Sequence, residues 1–199
     1  MTRNVGIYIF DEIEVLDLGG PFEVFSTAAR MRARLNPNAA RPFEVFTIAE
    51  TIRPIRARGG LMVQSAFDFT NHPAIDVLIV PGGVVLAELE RPAVIEWITR
   101  TAGKASLTAS VCTGAFLLAK AGLLRGKTIT THWEDIADFR SMFPDIPARD
   151  DTRWVDAGEI VTSAGISAGL DMSLHLVARL ESEELAVRTA RQMDYDWQR

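Results

Sequence analysis

The sequence predicts an α/β fold built on a doubly wound, mostly parallel sheet, and three observations carry that reading. Short apolar runs alternate with helix-like stretches along the chain, a pattern that builds βαβ units with helices on both faces of a parallel sheet. One run, Asp76-Val77-Leu78-Ile79-Val80, is apolar almost throughout, as a strand covered on both faces must be. The chain has 199 residues, 48% hydrophobic and 24% charged. A chain of that size buries roughly 70% of its unfolded surface in one core, so residues 1–199 are expected to form a single domain.

Each element has its own justification. Residues 5–10 form an apolar strand that ends in acidic turn residues, and Pro21 is expected at the first position of the following helix, where its missing N–H costs nothing. Residues 43–49 read as a strand and 61–65 as a shorter one. The strand 76–80 stops at Pro81-Gly82-Gly83, and a helix over 92–101 follows. Residues 105–111 form an apolar strand that hands over directly to a helix from 113 to 119. Gly122 to Gly126 is a helix C-cap and loop, and 127–131 a further strand. Thr131-His132-Trp133-Glu134 has capping-box spacing. Asp156-Ala157-Gly158 sits between two short apolar runs as a hairpin turn, and helices over 167–180 and 183–193 complete the set. Ligands of such sheets bind at the carboxyl ends of the strands. Asp17, Gly82, Gly83 and Cys112 all fall there.

Composition excludes several classes. A formal net charge of −5 with scattered Lys and Arg leaves no electrostatic footprint for nucleic acid. Arg30, Arg32 and Arg34 read as the solvated end of a helix. No stretch approaches a membrane span, and no apolar leader with a small-residue cleavage site is visible, so a cytoplasmic location away from membranes is expected. A lone cysteine cannot form a disulfide within the chain and fits a reducing compartment. One cysteine and three scattered histidines give no metal-ligand spacing, and no cofactor is expected.

That lone cysteine is the most informative residue. Ser110-x-Cys112-x-Gly114, where a buried strand meets a helix, has the spacing of a nucleophile elbow, whose sharp turn needs small residues on either side. The helix amides and dipole behind the sulfur would favour a thiolate, which predicts a depressed pKa and ready oxidation. Asp17 lies in an apolar setting, Val15-Leu16-Asp17-Leu18, where desolvation raises a carboxyl pKa and favours a form that carries a proton.

The strings Ser110-Val111-Cys112-Thr113-Gly114-Ala115, Ala121-Gly122-Leu123-Leu124-Arg125-Gly126-Lys127 and Thr130-Thr131-His132-Trp133 resemble the core signature of the ThiJ/PfpI superfamily, relatives of class I glutamine amidotransferases. Phe10-x6-Asp17-Leu18-x-Gly20-Pro21, Pro81-Gly82-Gly83 and Gly165-Ile166-x-Ala168-Gly169-Leu170-Asp171 extend the likeness to most of the chain. Within the superfamily the chain resembles isocyanide hydratases and the amidase-like sensor domain of AraC-type regulators. The resemblance implies a flavodoxin-like fold, a homodimer and a small-molecule substrate. It also implies that Cys112 attacks an organic isocyanide and that Asp17 supplies the proton to its carbon. A thioimidate forms, and water converts it to an N-substituted formamide.

On this resemblance the amides of Gly82, Gly83 and Thr113 receive developing negative charge and the Thr113 hydroxyl orients substrate or water. His132 stands near the cysteine as a base or as pocket wall beside Trp133, and Ser163, Ala164, Gly165 and Ile166 line the far side. Glu14 is a weaker candidate acid and is expected to be exposed. Aspartate at position 17 leans away from the deglycase branch, which resembles this chain but carries glutamate. Neither His72 nor His175 reproduces a His-x-Glu pair, which argues against ammonia release from glutamine. A deglycase, glyoxalase or amidase-like hydrolase and a redox or ligand sensor are the alternatives. For the sensor, the chain's end at Arg199 is expected to leave no room for paired helix-turn-helix units. Apolar surface at Phe22, Phe25 and Met31, and at Met193, Tyr195 and Trp197, is expected to pair two subunits.

Overall fold

A computed structural model describes residues 1–199. Its elements are β1 (Arg3–Tyr8), α1 (Val15–Leu35), β2 (Phe43–Ala49), β3 (Pro54–Arg56), β4 (Met62–Gln64), β5 (Phe67–Asp68), β6 (Val77–Val80), α2 (Leu86–Leu89) and α3 (Pro92–Ala102). They continue with β7 (Leu107–Val111), α4 (Gly114–Lys120), β8 (Ile129–Thr130), α5 (Ile136–Met142), β9 (Ala148–Arg149), β10 (Trp154–Asp156), β11 (Ile160–Ser163), α6 (Ala168–Leu180) and α7 (Glu183–Gln192). The main sheet has seven strands in the order β10-β11-β7-β6-β1-β2-β5, and every pairing is parallel except the β10–β11 hairpin. The doubly wound, mostly parallel fold read from the alternation of elements is the one observed.

Strand order explains where a ligand can sit. From β1 the chain moves one way to β2 and β5, then returns past β1 to β6, β7 and β11. The winding therefore reverses between β1 and β6, and an α/β sheet opens a crevice at the carboxyl ends of its strands at such a point. β6 and β7 are buried along their whole length, as strands covered on both faces must be.

Several expectations are corrected. α1 starts at Val15, so Pro21 lies inside the helix and not at its first position. Having no N–H, Pro21 cannot donate to the carbonyl of Asp17, four residues earlier. The expected strand at 61–65 contracts to β4, which pairs only with β3, because Met62 and Gln64 face solvent. The expected strand at 127–131 contracts to β8 and pairs with β9 outside the main sheet. A side chain ties β8 to that sheet, since the Thr130 N–H donates to Thr162 Oγ1 at 2.9 Å.

The arginine cluster is not simply solvated. Arg32 shares Glu181 with Arg3, at 2.8 and 2.6 Å, joining the end of α1 to the end of α6. Phe25 is fully buried against Phe43, with ring centroids 5.0 Å apart. Met31, Met193, Tyr195 and Trp197 also pack on their own core. Of the apolar side chains expected to be spare for a partner, only Phe22 stays exposed. No helix is long and apolar enough to cross a membrane.

Candidate active site

Cys112 occupies the turn between β7 and α4 with φ 95°, a left-handed conformation that non-glycine residues rarely adopt. Two glycines make the turn possible. A Cβ on Gly114 would lie 2.1 Å from the Val80 carbonyl oxygen, and one on Gly82 would lie 2.6 Å from Thr113 Oγ1. Without side chains at both positions the elbow seats directly on the end of β6. The Thr131 hydroxyl donates to the Cys112 carbonyl and holds the strained peptide. The expected capping box does not form, because the helical turn begins at Trp133 with His132, not Thr131, at its N-cap.

Asp17 meets the cysteine from the first turn of α1, where it is 0% exposed. The Gly82 N–H donates to its Oδ2 at 3.1 Å, while Oδ1 has no hydrogen-bond partner of good geometry. Burial above all, with the nearby charge of Glu14, pushes the carboxyl up to about 7 against the pull of the Gly82 N–H, the Cys112 thiol and the Ile166 N–H. This agrees with the desolvation expected from its apolar neighbours.

Cys112 departs from expectation. It is 6% exposed, and burial followed by the charge of Asp17 drives its thiol well above the ordinary range, despite N–H groups of Ile166 and Thr113 aimed at the sulfur. Burial and the Asp17 charge thus oppose the thiolate read from the elbow. The reason is one of scale. α4 has only seven residues, and a helix end supplies about 0.3–1 kcal/mol, too little to offset desolvation beside a carboxylate.

The charge-receiving groups differ as well. The Gly82 N–H is taken by Asp17, and the Gly83 N–H donates to Thr113 Oγ1 at 2.9 Å. Thr113 in turn donates its hydroxyl to the Gly83 carbonyl at 2.8 Å, so that hydroxyl braces the Pro-Gly-Gly turn and does not face a substrate. The amides directed at the sulfur are those of Thr113 and Ile166. Asp17 follows β1, Gly82 and Gly83 follow β6, Cys112 follows β7 and Ile166 follows β11. Four neighbouring strands deliver the site.

The cavity above the sulfur has a volume of about 720 Å³ and is lined by Cys112, Thr113, Gly83, Ile166, His132 and Trp133, among others. His132 lies with Nδ1 3.2 Å from Asp135 Oδ2. Its ring packs on Gly165, where a Cβ would fall 1.9 Å from Cδ2. Trp133 is 70% exposed at the mouth. Ser163 is fully buried and donates its hydroxyl to the Ser110 carbonyl at 3.3 Å, so it braces β11 on β7. Glu14, expected to be exposed, is half-buried on the cavity wall and paired with Arg58 at 3.2 Å. Thr131 and Arg58 were not apparent as site residues in the sequence. Thr131 stands in the Thr-Thr-His-Trp string, but its backbone-anchoring role has no sequence signature.

The DJ-1/PfpI family profile matches residues 3–179. The chain belongs to the DJ-1/PfpI family. This DJ-1/PfpI chain is 31% identical to an isonitrile hydratase of Pseudomonas putida over 98% of its own length and 79% of that protein. It is 27% identical to the transcriptional regulator GbdR of Pseudomonas aeruginosa over 98% of its own length, and spans about half, 51%, of the regulator. A ThiJ/PfpI family protein from Pseudomonas syringae superimposes with a TM-score of 0.86 at 26% identity, covering 100% of this chain and 77% of that one. Drosophila melanogaster DJ-1beta shares the fold, with a TM-score of 0.81 at 16% identity over 99% of this chain and 100% of that one.

Proposed function

We propose that this chain is a single ThiJ/PfpI-like domain that hydrates organic isocyanides to N-substituted formamides, with Cys112 as nucleophile and Asp17 as the group that moves the proton. The observation that carries this reading is the buried pairing of the Cys112 thiol with the Asp17 carboxyl, which burial pushes up to about 7, beneath a cavity and beside the N–H groups of Thr113 and Ile166. The 31% identity to an isonitrile hydratase supports the choice of substrate.

The reaction needs no free thiolate in the resting enzyme. Asp17, ionised, takes the proton from Cys112 as sulfur attacks the terminal carbon of R–N≡C, then delivers that proton to the same carbon. The product is S–CH=N–R, and Asp17 is again a carboxylate. Water adds to the CH carbon while its proton passes through Asp17 to nitrogen, giving S–CH(OH)–NH–R. The C–S bond breaks, the hydroxyl proton returns through Asp17 to sulfur, and H–C(=O)–NH–R leaves. One water is consumed and the enzyme is regenerated. The amides of Thr113 and Ile166 stabilise charge on sulfur during attack and departure, and His132 and Trp133 serve as pocket wall.

Val84, Leu86 and Ile166 remain exposed around the site, with Leu16 and Phe22 on α1. Such a patch supports association of two copies near the cavity. The deciding experiment mixes purified protein with aryl and alkyl isocyanides and follows formamide formation. Turnover that disappears in Cys112→Ala is the expected result, and no formamide from well-folded wild-type protein overturns the reading. The match of nearly the whole chain to about half of the regulator GbdR favours a second reading, a ligand-sensing domain. Thermal stabilisation by small molecules that are not turned over distinguishes it.

A further inference from the structure

Ile166 is β-branched, yet its φ is 51°, and it is 40% exposed at the cavity. A branched residue in the left-handed region is an outlier, and such backbone persists only where its surroundings over-determine it. Here the restraints converge on residues 164–167. Gly165 is pressed on the His132 ring. The Ala164 N–H donates to the Arg153 carbonyl at 2.8 Å, and the Ile166 carbonyl accepts from the Gly169 N–H at 3.2 Å.

The remaining restraint is ionic. Arg153 donates through Nη2 to Ser167 Oγ at 3.3 Å, while its Nε and Nη2 meet Asp171 Oδ2 at 2.6 and 2.5 Å. Asp171, in the first turn of α6, is 0% exposed. The end of the chain holds its other acceptors, with the Gln198 N–H donating to Oδ1 at 2.9 Å and the Trp197 indole N–H to its main-chain carbonyl at 3.2 Å. The Tyr195 phenol faces the same carboxylate; its own burial, then that charge, push its pKa above the ordinary value.

We infer that the Asp171–Arg153 pair, pinned by residues 195–198, is a positioning device for the reacting sulfur, clamping residues 164–167 so that the Ile166 N–H stays aimed at Cys112 and Asp17. Neither Asp171 nor Arg153 lines the cavity. Both act through Ile166, and the inference rests on the proposed function only in taking Cys112 as the reacting group. A pair that merely stabilised the fold would lower the melting temperature without touching the thiol. A clamp makes the thiol harder to ionise when broken, because one of the two N–H groups that favour its anion is lost.

Iodoacetamide alkylation of Cys112, the only cysteine, followed by intact mass from neutral to alkaline pH, reads this without any substrate. In Asp171→Asn and in Arg153→Gln the alkylation profile moves to higher pH, and the rate at a fixed mildly alkaline pH falls by about tenfold, as loss of a hydrogen bond to a charged group implies. Deletion of residues 197–199 and Ser167→Ala shift the profile the same way by less. A folded Asp171→Asn protein with a wild-type profile overturns the clamp. Should that variant not fold, unchanged profiles in both Ser167→Ala and the deletion overturn it equally. A shifted profile in a protein that yields no formamide supports the clamp and counts only against the hydratase reading.

Discussion

Asp17 and Asp171 are both fully buried in the first turn of a long helix, and they are held in opposite ways. Asp171 has an arginine on one oxygen and a main-chain N–H on the other. Asp17 has the Gly82 N–H on Oδ2, no well-formed hydrogen bond on Oδ1, and only the Ile166 N–H and the Cys112 thiol for further neighbours. Complete pairing turns a buried carboxylate into a structural anchor, since the low dielectric that penalises its charge strengthens each of its bonds. Incomplete pairing leaves the charge poorly compensated, and the proton affinity rises toward neutrality, where a group can both take and give a proton. The same residue type thus serves architecture at one end of the sheet's crevice and, on the proposed function, chemistry at its centre.

The largest expected effect comes from removing the thiol beside Asp17. Cys112→Ala is expected to lower isocyanide turnover by at least about three orders of magnitude while leaving circular dichroism and melting behaviour near wild type, because only one sulfur leaves a turn built of small residues. Retained activity would break the comparison at its root.

Asp17→Asn is expected to cost about 10²–10⁴ in kcat and to abolish the acid limb of the pH profile. On the proposed function, kcat/KM of the wild-type protein is expected to rise with pH through about 7, because Asp17 would have to be ionised to accept the thiol proton. The same shift has a consequence for stability. A carboxyl whose folded pKa is raised from 3.8 to about 7 favours the fold while protonated, and that contribution is lost as pH rises from about 4 through 7. Asp17→Asn should therefore raise the melting temperature above neutral pH, where the wild-type charge is buried, and change it little near pH 4. A destabilised variant above neutrality would place Asp17 with Asp171 among the anchors.

Asp171→Ala sharpens the opposite arm. Removing it takes away a buried carboxylate and its charge-assisted hydrogen bonds but leaves Arg153, 41% exposed, free to hydrate, so denaturant unfolding should show a loss of about 1.5–3 kcal/mol. A loss no greater than that of an ordinary surface change would deny its anchoring role. Ser182→Ala gives the baseline. This helix cap, accepting from the Leu185 N–H at 3.2 Å and remote from both acids, should cost about 1 kcal/mol and leave the alkylation of Cys112 unchanged.

Much of this molecule was legible before any coordinates. Alternating apolar runs fixed the strand and helix types, and β2 and α3 have nearly the bounds read from the chain. Ser110-x-Cys112-x-Gly114 marked the elbow because steric exclusion is local: the positive φ of Cys112 and the 2.1 Å approach at Gly114 are demands that residue size alone announces. The apolar neighbours of Asp17 likewise announced a raised carboxyl pKa.

Partners and directions were decided only in three dimensions. Sequence could place glycine amides beside the cysteine, but their hydrogen bonds depend on where Asp17 and Thr113 arrive from α1 and α4, so Gly82 and Gly83 proved to be occupied. The thiol's protonation depends on the balance of burial, a carboxylate brought from a distant helix and two amides, and the Thr113 amide at the helix end seen in the sequence ranks below burial, the Asp17 charge and the Ile166 N–H. The C-terminal aromatics looked unpartnered because their partners, Asp171 among them, are distant in sequence. Local sterics and periodicity travel with the sequence, whereas desolvation and charge pairing are sums over neighbours that only the folded chain assembles.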